Sequence, residues 1–334
     1  MPMNREWLAL TVEEAVEPEL EIIDAHHHLW DVAGTYGRYE LDDLRTDTGT
    51  GHNIVETVFI DCGANYLTEG PDHLRPVGET IYVAGRADES DVTPGARIAA
   101  IVGHADLTLG SRVGEVLDAH VEAAGGRFRG VRHTGARAND PAVPLSRVEP
   151  PAGLYADPSF LKGAATLASM GLTFEAWQYH TQLTEVADLA RAVPELRIIV
   201  NHIGGPLGIG RWAGRRDEML ERWRPAMVEL AGIDNIVLKV GGIGMTRYGV
   251  GFEDGDRPPT SDDLLAVWGD ELRWCIDEFG PDQCMFESNF PVDGESCSYT
   301  VLWNALKKVS VGYSPNERSA LLSGTARRVY RLPG

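Results

Sequence analysis

The sequence predicts a (β/α)₈ TIM barrel of the α/β class, and three observations carry that expectation. Short apolar, β-branched runs recur eight times along the chain, longer helical stretches separate them, and histidine, arginine or acidic residues stand at the ends of several runs. Near-continuous apolar runs belong to a parallel sheet buried on both faces. Eight alternating units favour closure of that sheet over a doubly wound arrangement.

Residues 1–20 read as an irregular N-terminal leader, followed by one barrel domain over residues 21–334. The strands are expected at residues 21–28, 54–62, 97–102, 128–133, 172–177, 197–202, 235–240 and 283–288. Helices are expected at 111–124, 158–170, 182–193, 215–231, 261–279 and 298–309, with the second helix of the barrel inside 73–88. Two long loops rich in Gly, Pro and Asp, residues 134–157 and 241–260, follow strands four and seven. Loops on that side of a barrel form the active-site mouth. The 334 residues suit one such fold, because eight βα units need about 250 residues and the surplus goes into loops.

Composition excludes several function classes. A formal charge of −20 argues against nucleic acid, whose binding needs clustered Lys and Arg to release counterions. No stretch approaches about 18 uncharged apolar residues, and the first residues lack an apolar signal core, so neither membrane spanning nor standard secretion is expected. Cys62, Cys275, Cys284 and Cys297 are scattered without a CxxC pair, which reads as reduced thiols of a cytoplasmic protein. The negative charge would slow an anionic substrate unless arginines reverse the field locally.

The chemistry gathers at strand ends. Strand one closes with Asp24-Ala25-His26-His27-His28. Residues two apart on a strand share a facing, about 6.6 Å apart along the axis, so His26 and His28 aim into one space while His27 faces the helical shell. Two convergent imidazoles hold a divalent metal or orient a carbonyl without one. His180 follows strand five and His202 closes strand six. Arg132 and His133 end strand four, where a guanidinium would bind a carboxylate or a lactone carbonyl, or form a salt bridge across the mouth. Lys239 ends strand seven among apolar residues and needs an anionic partner, either substrate or a neighbouring carboxylate. Strand eight offers Glu287, Asn289 and Asp293, with Glu287 and Asn289 on one facing. A carboxylate here is the expected general base or last metal ligand. Trp30, Trp177, Tyr179, Met245, Tyr248 and Phe252 fall near the predicted mouth and lean toward a partly apolar or aromatic substrate.

Four segments, taken together and in order, carry a resemblance: Asp24-Ala25-His26-His27-His28-Leu29-Trp30, Gly130-Val131-Arg132-His133, Asn201-His202-Ile203-Gly204-Gly205 and Phe286-Glu287-Ser288-Asn289-Phe290-Pro291. From Ile22 to Leu332 the chain resembles the amidohydrolase superfamily, specifically its amidohydrolase-2 branch and the group of sugar-acid and 2-pyrone-4,6-dicarboxylate lactonases. The resemblance implies a divalent metal, zinc, on His26, His28 and His180, although some lactonase relatives work without one. It implies that His202 polarises the carbonyl or moves a proton. Substrate contacts are expected around Arg132, His133, Trp177, Tyr179 and Lys239 from their places at the mouth, and barrels of the resembled branch often pair as dimers or larger homo-oligomers.

One departure matters. The family's strand-eight aspartate is Asn289 here, and a neutral amide is a poor base near pH 7. The expected catalytic set is therefore His202, Glu287 and Asn289, with Glu287 supplying the carboxylate from two residues upstream. The alternatives are a histidine base, with Asn289 orienting water or substrate, or a barrel that has lost hydrolysis. The leading function is opening of a lactone, or a related C–O or C–N bond, in a small carbonyl substrate bearing a carboxylate or aromatic group. Non-oxidative decarboxylation of an aromatic or unsaturated acid and an inactive metabolite-binding barrel are the other two readings.

Overall fold

A computed structural model describes residues 3–31, 37–145 and 148–333. Eight strands form one parallel sheet in chain order: β1 Glu21–His27, β2 Asn53–Ile60, β3 Arg97–Gly103, β4 Phe128–Arg132, β5 Thr173–Ala176, β6 Ile198–Val200, β7 Ile236–Gly241 and β8 Cys284–Glu287. The helices are α1 Arg5–Leu8, α2 Leu41–Thr48, α3 Val77–Val92, α4 Val113–Ala123, α5 Pro158–Ser169, α6 Leu183–Ala192, α7 Arg216–Ala231, α8 Ser261–Phe279, α9 Tyr299–Val309, α10 Pro315–Ser319 and α11 Thr325–Val329. This is the expected barrel. Among the described residues no helix is long and apolar enough to cross a membrane.

The sheet nearly closes on itself at the chemically interesting end. The segment after β8 lies along the end of β1: Asn289 N donates to His26 O at 2.9 Å, and His28 N donates to Phe290 O at 2.8 Å. Asp24 seals the seam by accepting from Ser288 N at 2.9 Å, Ser288 Oγ at 2.6 Å and Tyr299 OH at 2.9 Å. Burial pushes the Asp24 carboxyl up to about 6, against the pull of those hydrogen bonds.

Two apolar layers result. Ile23, Ala25, Val58, Ile60, Ala100, Val102, Ile199, Val237 and Met285 fill the barrel, and Ala326, Val329, Tyr330 and Leu332 join them from the C-terminal segment. Ile22, Phe59, Ile101, Phe174, Ile198, Leu238 and Phe286 face outward onto the helices. The opposite placement of neighbours such as Ile22 and Ile23 is the period of two that the apolar runs encode.

Several elements differ from expectation: α1 lies within the leader expected to be irregular, and α10 and α11 follow the last expected helix. α2 stands where no helix was expected, because Leu41-Asp42-Asp43-Leu44-Arg45-Thr46-Asp47-Thr48 is acidic and weakly amphipathic. It is held instead by a Glu40–Asp43 capping box and by Asp47, which binds Arg5 at 2.9 Å and Tyr39 OH at 2.8 Å. The second helix of the barrel runs four residues beyond the expected end, to Val92. The leader is laid down firmly: Glu13 accepts from Ser261 N and Oγ at 2.7 Å, and Lys307 Nζ donates to the Val16 and Glu17 carbonyls at 3.0 and 2.7 Å.

Candidate functional site

Strand β1 brings its histidines inward by a break in its own rhythm. Ile23 and Ala25 already occupy the inner layer, so strict alternation would turn His26 outward. The register slips between Asp24 and His27, and this bulge rephases the strand. His26 and His28 then share the site, as their spacing predicts. His27 lies against Phe59, with ring centroids 5.8 Å apart, and 3.0 Å from Thr57 Oγ1.

An open cleft of about 580 Å³ at this end is lined by His28, Arg132, His202 and Asn289, with Trp30, Trp177, Met245 and Val292 as apolar walls and Asp61, Thr134 and Arg247 as polar ones. Arg132 Nη2 donates to the Asp61 carbonyl, and its Nη1 lies 3.3 Å from His26 Nε2. Arg247 Nη1 donates to Tyr179 OH at 3.0 Å, with its guanidinium 5.8 Å from the Trp177 ring centre.

His202 is held more tightly than any strand could hold it. The β6 ladder stops at Val200, and the backbone turns left-handed at His202 and Ile203, with φ of 53° and 47°. Such conformations cost about 1–3 kcal/mol each and persist only where the surroundings over-determine them. Here Glu287 Oε1 accepts from His202 N at 3.0 Å and Nδ1 at 2.7 Å, and Tyr248 OH donates to His202 O at 3.0 Å. Gly242 passes beneath the ring so closely that a Cβ there would meet Nδ1 at 2.4 Å. With its Nδ1 proton given to the carboxylate, the His202 ring keeps a lone pair on Nε2. Burial pulls the pKa of His202 down, and Glu287 partly restores it.

Glu287 itself does not line the cleft. It is wholly buried behind His202 and His26. Its Oε2 lies 2.8 Å from His26 Nδ1 but off the line of an N–H bond, so that oxygen has no hydrogen-bond partner. Asn289, with φ of 56°, is the strand-eight residue that faces the cleft. It donates to Asp293 Oδ1 at 2.8 Å, while Asp293 Oδ2 accepts from Gly244 N at 2.8 Å. Burial keeps the Asp293 carboxyl well above its ordinary range.

Lys239 finds its anionic partner within the protein. It is wholly buried, with Nζ 3.0 Å from Glu175 Oε2 and 3.3 Å from His26 Nδ1. It therefore lies below the cleft rather than on it, and the expected substrate contact at this residue is replaced by an internal pair. His133 also turns away: its Nδ1 accepts from Leu107 N at 3.3 Å, and its ring meets His104 edge-on. Tyr179 is buried behind Trp177, with ring centroids 5.6 Å apart, and reaches the cleft only through Arg247.

The expected metal trio does not converge. His180 opens the short turn that leads into α6, accepts from Leu207 N through Nδ1 at 3.2 Å and packs edge-on against Trp212. Among the described residues the group with metal-ligand spacing is His26, His202 and Glu287, whose donor atoms all lie within 4.8 Å of one another. Burial first, and nearby cations second, hold His26 well below its usual pKa and so keep it neutral. Two neutral imidazoles and a carboxylate with an unpartnered buried oxygen are a donor set that suits a divalent ion such as zinc.

Asp61, Arg247 and Glu175 belong to the site or its support although they are not among the residues expected there. Asp61 ends an expected strand just as Arg132 does, and that signal was available. Arg247 lies in a long loop, where nothing local marks its aim.

Burial also predicts an acid limit to stability. His27 is pushed down to about 3, and His52, His120 and His180 to about 4, each mainly by desolvation. As pH falls below the unfolded value of 6.5 toward 4, the unfolded chain takes up protons that these folded rings refuse, so stability drops. The carboxyls that burial raises, Asp24, Asp47, Glu185, Glu253 and Asp293, oppose this, but His26, His28 and His202 are lowered as well, so the histidines outnumber them. Calorimetry is expected to show Tm falling by roughly 5–10 °C between pH 6.5 and 4.5. A flat Tm would contradict neutral buried rings.

The family model described as Amidohydrolase matches residues 23–332. The chain belongs to the amidohydrolase family. Among its relatives is an uncharacterised protein of Sinorhizobium fredii, 33% identical over 94% of this chain and 99% of the relative. An L-fucono-1,5-lactonase of Burkholderia multivorans is 28% identical over 93% of this chain and 96% of its own length. A crystal structure of a Burkholderia multivorans amidohydrolase with bound zinc superposes with a TM-score of 0.70 at 25% identity, covering 93% of this amidohydrolase and 99% of that chain.

Proposed function

We propose that this amidohydrolase opens the ring of a small polar lactone, with His202 as the general base. The observation that carries the reading is the Glu287–His202 pair, which leaves one imidazole nitrogen unprotonated on a cleft that also holds Arg132 and Asn289. Similarity to an L-fucono-1,5-lactonase supports the choice of a cyclic ester.

Asn289 holds the attacking water with the part of its amide not bound to Asp293. As the water oxygen bonds to the carbonyl carbon, His202 Nε2 takes the water proton, and Glu287 stabilises the imidazolium that forms. Arg132 faces the negative charge that grows on the carbonyl oxygen, a contribution of about 3–4 kcal/mol for a well-placed donor. The ring C–O bond then breaks, and His202 returns its proton to the departing alkoxide to give the open hydroxy acid. His28 cannot share the donor role expected of it, because its Nδ1 proton is committed to the Ile60 carbonyl at 2.7 Å and its Nε2 carries a lone pair. Asp61 and Arg247 suit substrate hydroxyl or carboxylate groups at the rim, with Trp30 and Trp177 against the carbon skeleton. A divalent ion on His26, His202 and Glu287 would supply Lewis-acid polarisation of the carbonyl, and in that form His202 would be a ligand rather than the base.

The test is proton release at neutral pH from a panel of five- and six-membered sugar-acid lactones and pyrone dicarboxylates, before and after exhaustive chelation. Saturable ring opening is expected for at least one lactone. No turnover of any panel member, or carbon dioxide release from an unsaturated acid instead, would sink the lactonase reading. Loss of activity on chelation, restored by zinc, would assign the chemistry to an ion-bound form and remove His202 from the role of base.

A further inference from the structure

Below the cleft, buried polar groups run in single file from the inner apolar layer up to His26. Tyr330 follows α11, and its ring is fully buried in the layer that includes Val58, Val237 and Met285. Its hydroxyl donates to Glu175 Oε1. Glu175 Oε2 accepts from Asn201 Nδ2 and from Lys239 Nζ at 3.0 Å. Lys239 Nζ also lies 3.3 Å from His26 Nδ1 and 5.6 Å from the centre of the Tyr330 ring. His26 Nε2 lies 3.2 Å from His28 Nε2.

Elementary hydrogen-bond chemistry orients the whole file. A carbonyl oxygen only accepts, so His28 carries its proton on Nδ1 toward Ile60 and a lone pair on Nε2. A lysine only donates and the His28 lone pair only accepts, so these two contacts place the His26 lone pair on Nδ1 and its proton on Nε2; Arg132 Nη1, 3.3 Å from the same Nε2 and only a donor, pulls toward the other tautomer. Which nitrogen of His26 is protonated therefore depends on how firmly Lys239 is held against the pull of Arg132. Lysine has a long, flexible stem, and the aliphatic residues of the barrel offer it no polar anchor. Glu175 is the anchor, and it has two oxygens to keep oriented. One is occupied by Asn201 and Lys239; the other has the Tyr330 hydroxyl.

Within the hydrolase reading above, we propose that Tyr330 is a positioning residue of the active site. It locks the rotation of Glu175, which holds Lys239 against His26 Nδ1 and so sets the tautomer and aim of His26. The C-terminal segment thereby acts on the catalytic end of the barrel through three buried side chains. Phenylalanine at this position keeps the ring, its packing and its contact with Lys239, and removes only the donor to Glu175.

The experiment compares wild type, Tyr330→Phe and Glu175→Gln in protein labelled with ¹⁵N at histidine. Nitrogen shifts distinguish a lone-pair nitrogen from a protonated one at each ring. Wild type is expected to show His26 with a lone pair on Nδ1 and a proton on Nε2. Tyr330→Phe is expected to mix the two His26 tautomers; a lone pair on Nε2 would draw Arg132 Nη1, 3.3 Å away, from the substrate carbonyl oxygen, so kcat is expected to fall about tenfold at unchanged KM. Glu175→Gln should produce the same spectral change, and the double variant should be no worse than the weaker single one, because both act through one contact. An unchanged His26 spectrum in both variants overturns the proposal whatever kcat does, and so does a wild-type His26 protonated on Nδ1. The spectral arm needs no substrate. Failure of wild type to open any lactone would strike the functional reading alone and leave the positioning of His26 to be judged by its spectrum.

Discussion

Replacing His202 with asparagine is expected to lower kcat about 10³-fold on any lactone the enzyme accepts, with KM nearly unchanged. Asparagine can still accept or donate within the turn, and Tyr248 still holds the backbone carbonyl, so the fold is retained. What disappears is the nitrogen that takes the proton of water and returns it to the alkoxide. A variant that keeps more than a tenth of wild-type kcat would remove His202 from the role of base. Steady-state kinetics on the purified variant, with circular dichroism to verify folding, make the measurement.

Glu287→Gln separates the two carboxylate roles that the sequence allows. Oε1 is pinned by the His202 backbone N–H at 3.0 Å, so a glutamine oxygen there keeps the His202 tautomer. The charge that supports the imidazolium is lost, and kcat is expected to fall about 10²-fold. The pH profile carries the sharper prediction. Glu287 raises the pKa of His202, so its neutralisation lowers that pKa, and the acid limb of kcat moves to lower pH. The limb belongs to His202 and must survive. If Glu287 were the base, the substitution would abolish activity and leave no acid limb to shift. An unshifted limb with full activity would remove both roles.

Much of this architecture was legible in the residues themselves. The apolar runs marked all eight strands within a few residues, because strands of a parallel barrel are buried on both sides and admit little else. The same reasoning located the active end at Asp24-Ala25-His26-His27-His28, since imidazoles and guanidinium groups at strand ends stand out against aliphatic neighbours. α2 escaped it because its stability comes from capping and from Arg5, about 40 residues away, rather than from an apolar face.

The division of labour among the polar residues was not legible. Spacing placed Glu287 and Asn289 on one facing, and the structure turns the first behind His202 and the second toward the cleft, through a left-handed residue at 289. Spacing could not tell whether Lys239 would meet substrate or carboxylate; Glu175, on a strand two places away in the barrel, decides it. His180, just after an expected strand, and His202, closing one, both fell at the predicted mouth, yet one enters a helix turn against Trp212 and the other is drawn inward by Glu287.

The chain's residue pattern thus specified the barrel, its active end and the histidine pair on β1, because those follow from periodicity and from chemistry between near neighbours. Tertiary structure alone decided that His26 faces inward after a bulge, that Glu287 supports His202 from behind, and that Lys239 lies beneath the cleft. Each of those outcomes depends on closure of the sheet, which brings together side chains far apart in the chain, such as His26 and Glu287, and no local pattern encodes that approach.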